Sequence, residues 1–236
     1  MNAIDTVNTA SDITTSVDVN IFAGIHKAIR RGLGDLLHQL GSTDFQQVGE
    51  VAHLSQSLES LLIFCEDHLQ HEEKVVRPAC GDRLVPEAFD HGHPKHLRFI
   101  AEIRALFRAV RASSPKHRPT LAHALYLHFS VFMADCLEHM AEEERVLLPL
   151  MLKALGDKEV LAIRERILAS LGPAEMAESA RRMLAAGNPS EQHELILGIL
   201  AKAPRAVATE LVQSTRGELD DAAVARLLNL VQAVAV

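Results

Sequence analysis

Two short stretches of this chain carry the same polar residues in the same order. One runs from His68 to Pro78 and the other from His139 to Pro149, and both read H-x-x-x-E-E-x-x-x-x-P. The two copies lie 71 positions apart, and a cysteine stands three residues before the first histidine of each. The repeat therefore predicts two equivalent helices, each presenting a histidine and a glutamate four residues apart.

The apolar residues around both copies recur at alternating spacings of three and four, which is typical of the buried seam of a bundle helix. The two seams continue past the glutamates through Val75 and Val146. A further segment with one histidine on its seam precedes each copy, and Thr43, with Gln46 three residues on, is the expected N-cap of the second segment. Start and stop signals bound the four segments near Phe22 and Gly41, Thr43 and Pro78, Pro94 and Ser113, and Pro119 and Pro149.

Four seamed helices with short connections predict an all-α fold, an antiparallel up-down-up-down four-helix bundle with a C-terminal helical extension. Residues 1–17 are polar and contain no Lys or Arg, so we expect a disordered tail and not a signal peptide. Residues 18–155 form the predicted bundle. Residues 156–236 are rich in Ala and Leu and are interrupted by Gly and Pro, which predicts several shorter helices.

The composition argues against a nucleic-acid or membrane partner and favours a reducing environment. The net charge of −7 argues against a nucleic-acid footprint, which would be a basic stripe. No apolar run approaches the ~20 residues needed to span a bilayer, so no membrane partner is expected. Three scattered cysteines are too few for a disulfide framework and favour a reducing, cytoplasmic setting.

The histidines and glutamates of the seams can meet at one point. Residues four positions apart lie about 40° apart around a helix and ~6 Å along it. Buried carboxylates need a partner or must protonate, and metal cations remove that cost. Imidazole and carboxylate donors suit iron foremost, although manganese and zinc accept the same donors. The predicted metal ligands are His26, His68, Glu72, His96, His139 and Glu143.

The paired motif, each copy preceded by a helix with one histidine, resembles the hemerythrin family and its HHE cation-binding relatives over roughly residues 20–152. The resemblance implies a bundle holding two iron ions bridged by carboxylates and by an oxo or hydroxo group, with the six residues above as ligands. Two positions depart from the oxygen carriers. Gly92 replaces a fifth histidine, which makes the adjacent His93 a candidate ligand, and Glu143 replaces an aspartate. The set of four histidines and two glutamates is closer to the bacterial iron-sulfur-repair branch that responds to nitric oxide.

Three functions follow as hypotheses, and none of them is that of a classical enzyme with catalytic residues. The first is binding or sensing of O2 or NO at the di-iron centre, with the diatomic molecule as the partner. The second is iron storage, iron delivery or repair of iron-sulfur centres, which exposed histidines such as His91 and His93 would favour. The third is a metal-dependent interaction module, in which the C-terminal helices contact a second copy or a redox or iron partner.

Overall fold

The computed structural model describes residues 19–84 and 92–234. The predicted tail, residues 1–17, and His91 lie outside these ranges. Within them the chain is helical, and the sole β feature is an isolated bridge between Arg216 and Leu219. The predicted all-α class is therefore confirmed.

Four long helices surround one apolar core. They are α1 (Ala23–Ser42), α2 (Val48–His71), α4 (His93–Ala112) and α5 (Arg118–Glu142). Each contributes its seam, and the largest fully buried side chains of this core include Leu33, Leu36, Leu54, Leu58, Ile100, Ile103, Phe129 and Phe132.

The start of α2 differs from the prediction. The helix begins at Val48 with Gln47 as its N-cap, so the prediction of Thr43 as N-cap was wrong. Thr43 instead follows the end of α1, where its Oγ1 donates to the carbonyl of Gln39 at 2.8 Å. Asp44 accepts a hydrogen bond from the backbone N–H of Gln46, and this turn delays the helix.

Both motif helices contain a π-helical turn that begins at the motif glutamate. The first turn spans Glu72–Val76 and leads into α3 (Arg77–Cys80), and the second spans Glu143–Leu147 and leads into α6 (Leu148–Leu155). A π turn holds one residue more than an α turn, so the residues after it advance by one position. The seam prediction of Val146 was therefore wrong, because Leu147 is buried and Val146 is 48% exposed. Val75 is half-buried and packs with the buried Val76 against one apolar cluster.

A second apolar cluster lies beneath the two π turns. Helix α7 (Asp157–Ser170) supplies Val160 and Ile163, which are fully buried in this cluster. The same cluster contains one residue from each π turn and two residues that precede α1, namely Val76, Leu147, Val19 and Phe22. Residues beyond 155 thus close the end of the bundle at which the motif glutamates lie.

The remaining helices surround a third apolar core and pack against α1 and α2. They are α8 (Pro173–Ala186), α9 (Pro189–Leu200), α10 (Arg205–Ser214) and α11 (Asp221–Ala233). The guanidinium of Arg182 lies 4.8 Å from the centre of the Phe64 ring on α2, a cation–π contact. Arg31 of α1 donates to the carbonyl of Ala185. Among these four helices, α8 therefore makes the contacts described here with the bundle.

The continuous helix Arg118–Leu155 is long and apolar enough, by length and composition alone, to cross a membrane. The core helix of a soluble protein meets the same criterion. This helix buries Leu125, Phe129 and Phe132 in the main core and carries His139 and Glu143, so its apolar residues have a role within the bundle.

Candidate metal centre

The two motif glutamates lie at the beginning of the two π turns, inside the protein. Glu72 is 6% exposed and Glu143 is 1% exposed. π turns are frequent at functional sites because they redirect side chains within a helix. Here they turn both carboxylates toward the space between the four bundle helices, where the carboxylates lie close to one histidine from each helix.

The first group of potential ligands joins α1, α2 and the two π turns. It consists of His26, His68, Glu72 and Glu143, whose ligand atoms all lie within 4.8 Å of one another. His26 Nε2 lies 3.2 Å from His68 Nε2 and 3.3 Å from Glu143 Oε2. His68 Nε2 lies 3.2 Å from Glu72 Oε1. Two imidazoles and two carboxylates thus converge on one point.

The second group uses the same two carboxylates with histidines from the other half of the bundle. It consists of Glu72, His93, His139 and Glu143, again within 4.8 Å of one another. His93 Nε2 lies 3.4 Å from Glu72 Oε2, and His139 Nε2 lies 3.3 Å from Glu143 Oε1. Each carboxylate therefore offers one oxygen to each group.

Five of the six ligands predicted from the sequence lie in these groups, and His96 does not. Its Nε2 lies 2.9 Å from Asp135 Oδ2, and its ring stacks edge-on against the ring of His139 at 4.7 Å between centres. His93, one turn nearer the start of α4, occupies the place expected for His96. Gly92 enables this because its left-handed backbone, at φ 81°, starts the helix directly at His93.

The donor atoms of each group are of a kind that could hold a metal ion. Both oxygens of Glu72 and Nε2 of His93 are buried, and within the described ranges they have no aligned hydrogen-bond partner. Buried polar atoms without partners are costly, and carboxylate oxygens beside imidazole nitrogens are the donors that divalent transition metals take. Two ions, one in each group, would satisfy these atoms together.

The family model of the hemerythrin HHE cation binding domain matches residues 17–151, more than half of the chain. The chain belongs to the hemerythrin HHE cation-binding family. The resemblance inferred from the paired motif is therefore confirmed, and binding of a cation is the property that the family name states. Both ligand groups lie within the matched range.

The curated relatives are proteins much longer than the region that they share with this chain. F-box/LRR-repeat protein 5 of Xenopus tropicalis is 24% identical over 152 residues, and that of Salmo salar is 23% identical over 152 residues. In both cases the match covers 64% of this chain and 22% of the relative. The chain thus matches about a fifth of the length of these relatives. No solved structure matches the chain significantly.

Around the potential ligands lies a second set of contacts, to which the sequence analysis assigned no role. His26 Nδ1 lies 2.8 Å from Glu144 Oε1, and His93 Nδ1 lies 2.8 Å from Glu73 Oε1. The ring of Phe22 stacks on that of His26 at 5.2 Å. The signal for the two glutamates was available, because each follows a motif glutamate at the same position of the repeat.

Burial and neighbouring charges shift the pKa values of the HHE residues. Burial, followed by the charge of His26, lowers the pKa of His68 to about 3. Burial raises the pKa of Glu143, and the carboxylate of Glu72 raises it further. Burial lowers the pKa of His26, but the carboxylates of Glu143 and Glu144 outweigh it and raise the pKa above its ordinary value. A buried carboxyl with a raised pKa is the state that a bound cation would reverse.

Proposed function

We propose that this HHE protein holds a non-haem di-iron centre that binds or senses O2 or NO. One observation carries the proposal: two four-residue ligand groups share both of their carboxylates. One ion would be held by His26 and His68 and the other by His93 and His139. Glu72 and Glu143 would bridge the two ions.

The number of donors favours a small exogenous ligand. Each ion would receive two imidazoles and one oxygen from each of two carboxylates, which leaves coordination positions for a diatomic molecule. When bound, a pair of ferrous ions supplies electrons that O2 or NO can take up. The six residues would hold the two ions inside the bundle and away from bulk water, since their side chains are at most 9% exposed.

The arrangement of helices supports the same proposal. We propose that α1, α2, α4 and α5 run up-down-up-down, so that each helical hairpin contributes ligands to both ions. Val19 and Phe22 from the segment before α1, together with Val160 and Ile163 from α7, close the end of the bundle beside the glutamates. The closure of this end favours a small ligand such as a gas over a larger substrate. The reducing cytoplasm would keep the iron ferrous.

Iron storage or delivery is less well supported. That hypothesis drew on exposed histidines at the bundle end, but His93 is buried, 8% exposed, and aimed at Glu72. Its exposure was wrongly expected, because the α4 helix begins at His93 and turns the ring inward. Iron held by this residue has no exposed histidine beside it to receive the metal, within the part of the chain that the structure describes.

A metal-dependent interaction module is the second candidate, and one contact favours it. Val76 and Leu147 of the two π turns pack in one cluster with Ile163 of α7, so a change at the glutamates reaches the C-terminal helices directly. The relatives named F-box/LRR-repeat protein 5 also join the matched region to a much longer chain. In this reading the C-terminal helices contact a second copy or a redox or iron partner.

Gas exposure of the reduced, iron-loaded protein tests the first candidate. The visible spectrum is recorded anaerobically with two ferrous ions per chain and again after O2 or NO is added. We expect a new absorption band with at least one gas, and removal of the gas restores the original spectrum if binding is reversible. An unchanged spectrum with both gases would rule this function out.

Sedimentation of the same protein with and without iron tests the interaction module. A metal-dependent contact with a second copy should change the oligomeric state.

A further inference from the structure

The second glutamate of each Glu-Glu pair contacts a histidine from the opposite helical hairpin. Glu73 belongs to the hairpin of α1 and α2, and its Oε1 lies 2.8 Å from Nδ1 of His93 on α4. Glu144 belongs to the hairpin of α4 and α5, and its Oε1 lies 2.8 Å from Nδ1 of His26 on α1. The two contacts are thus related by the sequence repeat and cross between its halves.

The chemistry of these contacts fixes which nitrogen carries the proton. An ionised carboxylate only accepts hydrogen bonds, so Nδ1 of each histidine must donate. In a neutral imidazole the other nitrogen, Nε2, then carries the lone pair. The Nε2 atoms of His26 and His93 are the atoms that lie 3.3 and 3.4 Å from the oxygens of Glu143 and Glu72. When each imidazole is neutral, its Nε2 lone pair therefore faces the centre.

We propose that Glu73 and Glu144 are positioning residues, which set the tautomer and ring orientation of His93 and His26 for metal binding. This inference rests on the proposed metal centre. In each Glu-Glu pair the first glutamate would bridge the ions, and the second would hold a histidine of the other hairpin. The two hairpins are thereby locked to each other through their ligands, one contact in each direction.

The two contacts differ in strength. Glu144 is 24% exposed and also accepts a hydrogen bond at 2.7 Å from Arg30, which is 32% exposed. Glu73 is 40% exposed, and its nearest Arg77 nitrogen lies 3.2 Å away with 46% exposure. Water weakens the second pair more than the first. We therefore expect His26 to be held more firmly than His93, and the two metal positions to differ in affinity.

Metal affinity of matched variants tests the proposal. The variants to be compared are Glu144→Ala, Glu144→Gln and Glu73→Ala. The control is Glu138→Ala, which changes an exposed glutamate on α5 beside His139. Ferrous iron alone is titrated anaerobically against a chromophoric chelator. Loss of a carboxylate that orients a ligand histidine lowers metal affinity by about 10- to 100-fold. We expect this loss for Glu144→Ala, a smaller loss for Glu73→Ala, and none for Glu138→Ala.

The glutamine variant separates positioning from simple stability. A glutamine oxygen still accepts from Nδ1–H but lacks the charge, so Glu144→Gln should lie between the wild type and Glu144→Ala. Glutamine also keeps the size of the side chain, so this variant tests the proposal even if Glu144→Ala fails to fold. A merely structural salt bridge would lower the unfolding temperature of all three variants without this order in iron affinity.

A metal-free readout makes the test independent of iron loading. Long-range proton–nitrogen NMR spectra of the apoprotein report which ring nitrogen of each histidine is protonated. We expect a proton on Nδ1 of His26 and of His93 in the wild type, and loss of that proton from His26 in Glu144→Ala. An unprotonated Nδ1 on both histidines in the wild type would overturn the proposal.

The outcomes also distinguish this inference from the proposed function. If the wild type binds no iron, both are overturned. If the wild type binds two ions and the Glu73 and Glu144 variants bind them as tightly as Glu138→Ala, only the positioning role is overturned.

Discussion

Nε2 of His93 lies 3.4 Å from Oε2 of Glu72, so the first turn of α4 reaches the carboxylate at the end of α2. His96, three residues later on the same helix, is more deeply buried but faces Asp135. We therefore infer that His93, and not His96, would supply the metal ligand of the third bundle helix.

Alanine variants of the two α4 histidines provide a matched test of that assignment. His93→Ala removes a donor from the second ligand group, so we expect the chain to bind one ferrous ion in place of two. His96→Ala removes the contact with Asp135 and leaves both groups complete, so two ions should remain. Elemental analysis after anaerobic loading and desalting measures the difference. The reverse result would return the ligand role to His96.

The shared carboxylates make a second prediction about stoichiometry. Glu143 belongs to both ligand groups, whereas His68 belongs to the first alone. Glu143→Ala should therefore weaken both metal positions, and His68→Ala should affect one of them. Calorimetric titration with ferrous iron distinguishes the two, and equal loss in both variants would argue against bridging carboxylates.

The cluster beneath the π turns should matter for the metal as well as for stability. Ile163→Ala in that cluster and Leu227→Ala in the C-terminal core both truncate fully buried side chains, so each should cost about 2–5 kcal/mol of unfolding free energy. Only Ile163 shares a cluster with Val76 and Leu147 of the π turns. We expect weaker iron binding in Ile163→Ala alone. Denaturant unfolding and chelator competition measure the two effects, and equal iron affinities would show that the π turns hold their shape without α7.

The stability that the junction of α8 with the bundle gives to the folded state should depend on pH through Glu178. Oε1 of Glu178 accepts hydrogen bonds at 2.7 Å from Arg181 and from Arg182, the residue that lies over Phe64. The bond from Arg181, followed by other contacts with the two guanidinium groups, lowers the pKa of Glu178 below its usual 4.5 despite partial burial.

Because the folded pKa is the lower one, the folded state gains stability from this group above pH 4.5 and loses it as the pH falls through the depressed pKa. Thermal unfolding of the wild type and Glu178→Gln should therefore differ above pH 4.5, with the wild type more stable. The two curves should converge at lower pH. A difference that stays constant down to pH 2 would exclude this titration as its cause.

Much of the metal centre was predictable because helical periodicity places residues four apart on one face. That rule brought His68 with Glu72 and His139 with Glu143, and the repeat added His26. It could not choose between His93 and His96, which lie about 60° apart around the helix and so share a face. The choice depends on the left-handed backbone of Gly92, which is a property of the turn and not of the seam.

The π turns mark the other limit of prediction from the sequence. A regular helical pattern assigns Val75 and Val146 to the seam, but the inserted residue in each turn buries Val76 and Leu147 and leaves Val146 exposed. The insertion is favoured by tertiary contacts at the carboxylates and beneath them, which a pattern along one helix does not contain. The close packing of α7 on these turns was missed for the same reason.

The number of ferrous ions bound per chain tests the central claim most directly. Purified protein is loaded anaerobically with excess ferrous iron, desalted, and analysed for iron and for protein, with a Glu72→Ala, Glu143→Ala double variant as the control. We predict two ions per chain in the wild type and none in the double variant. One ion per chain, or equal iron in the wild type and the double variant, would contradict a dinuclear centre bridged by Glu72 and Glu143.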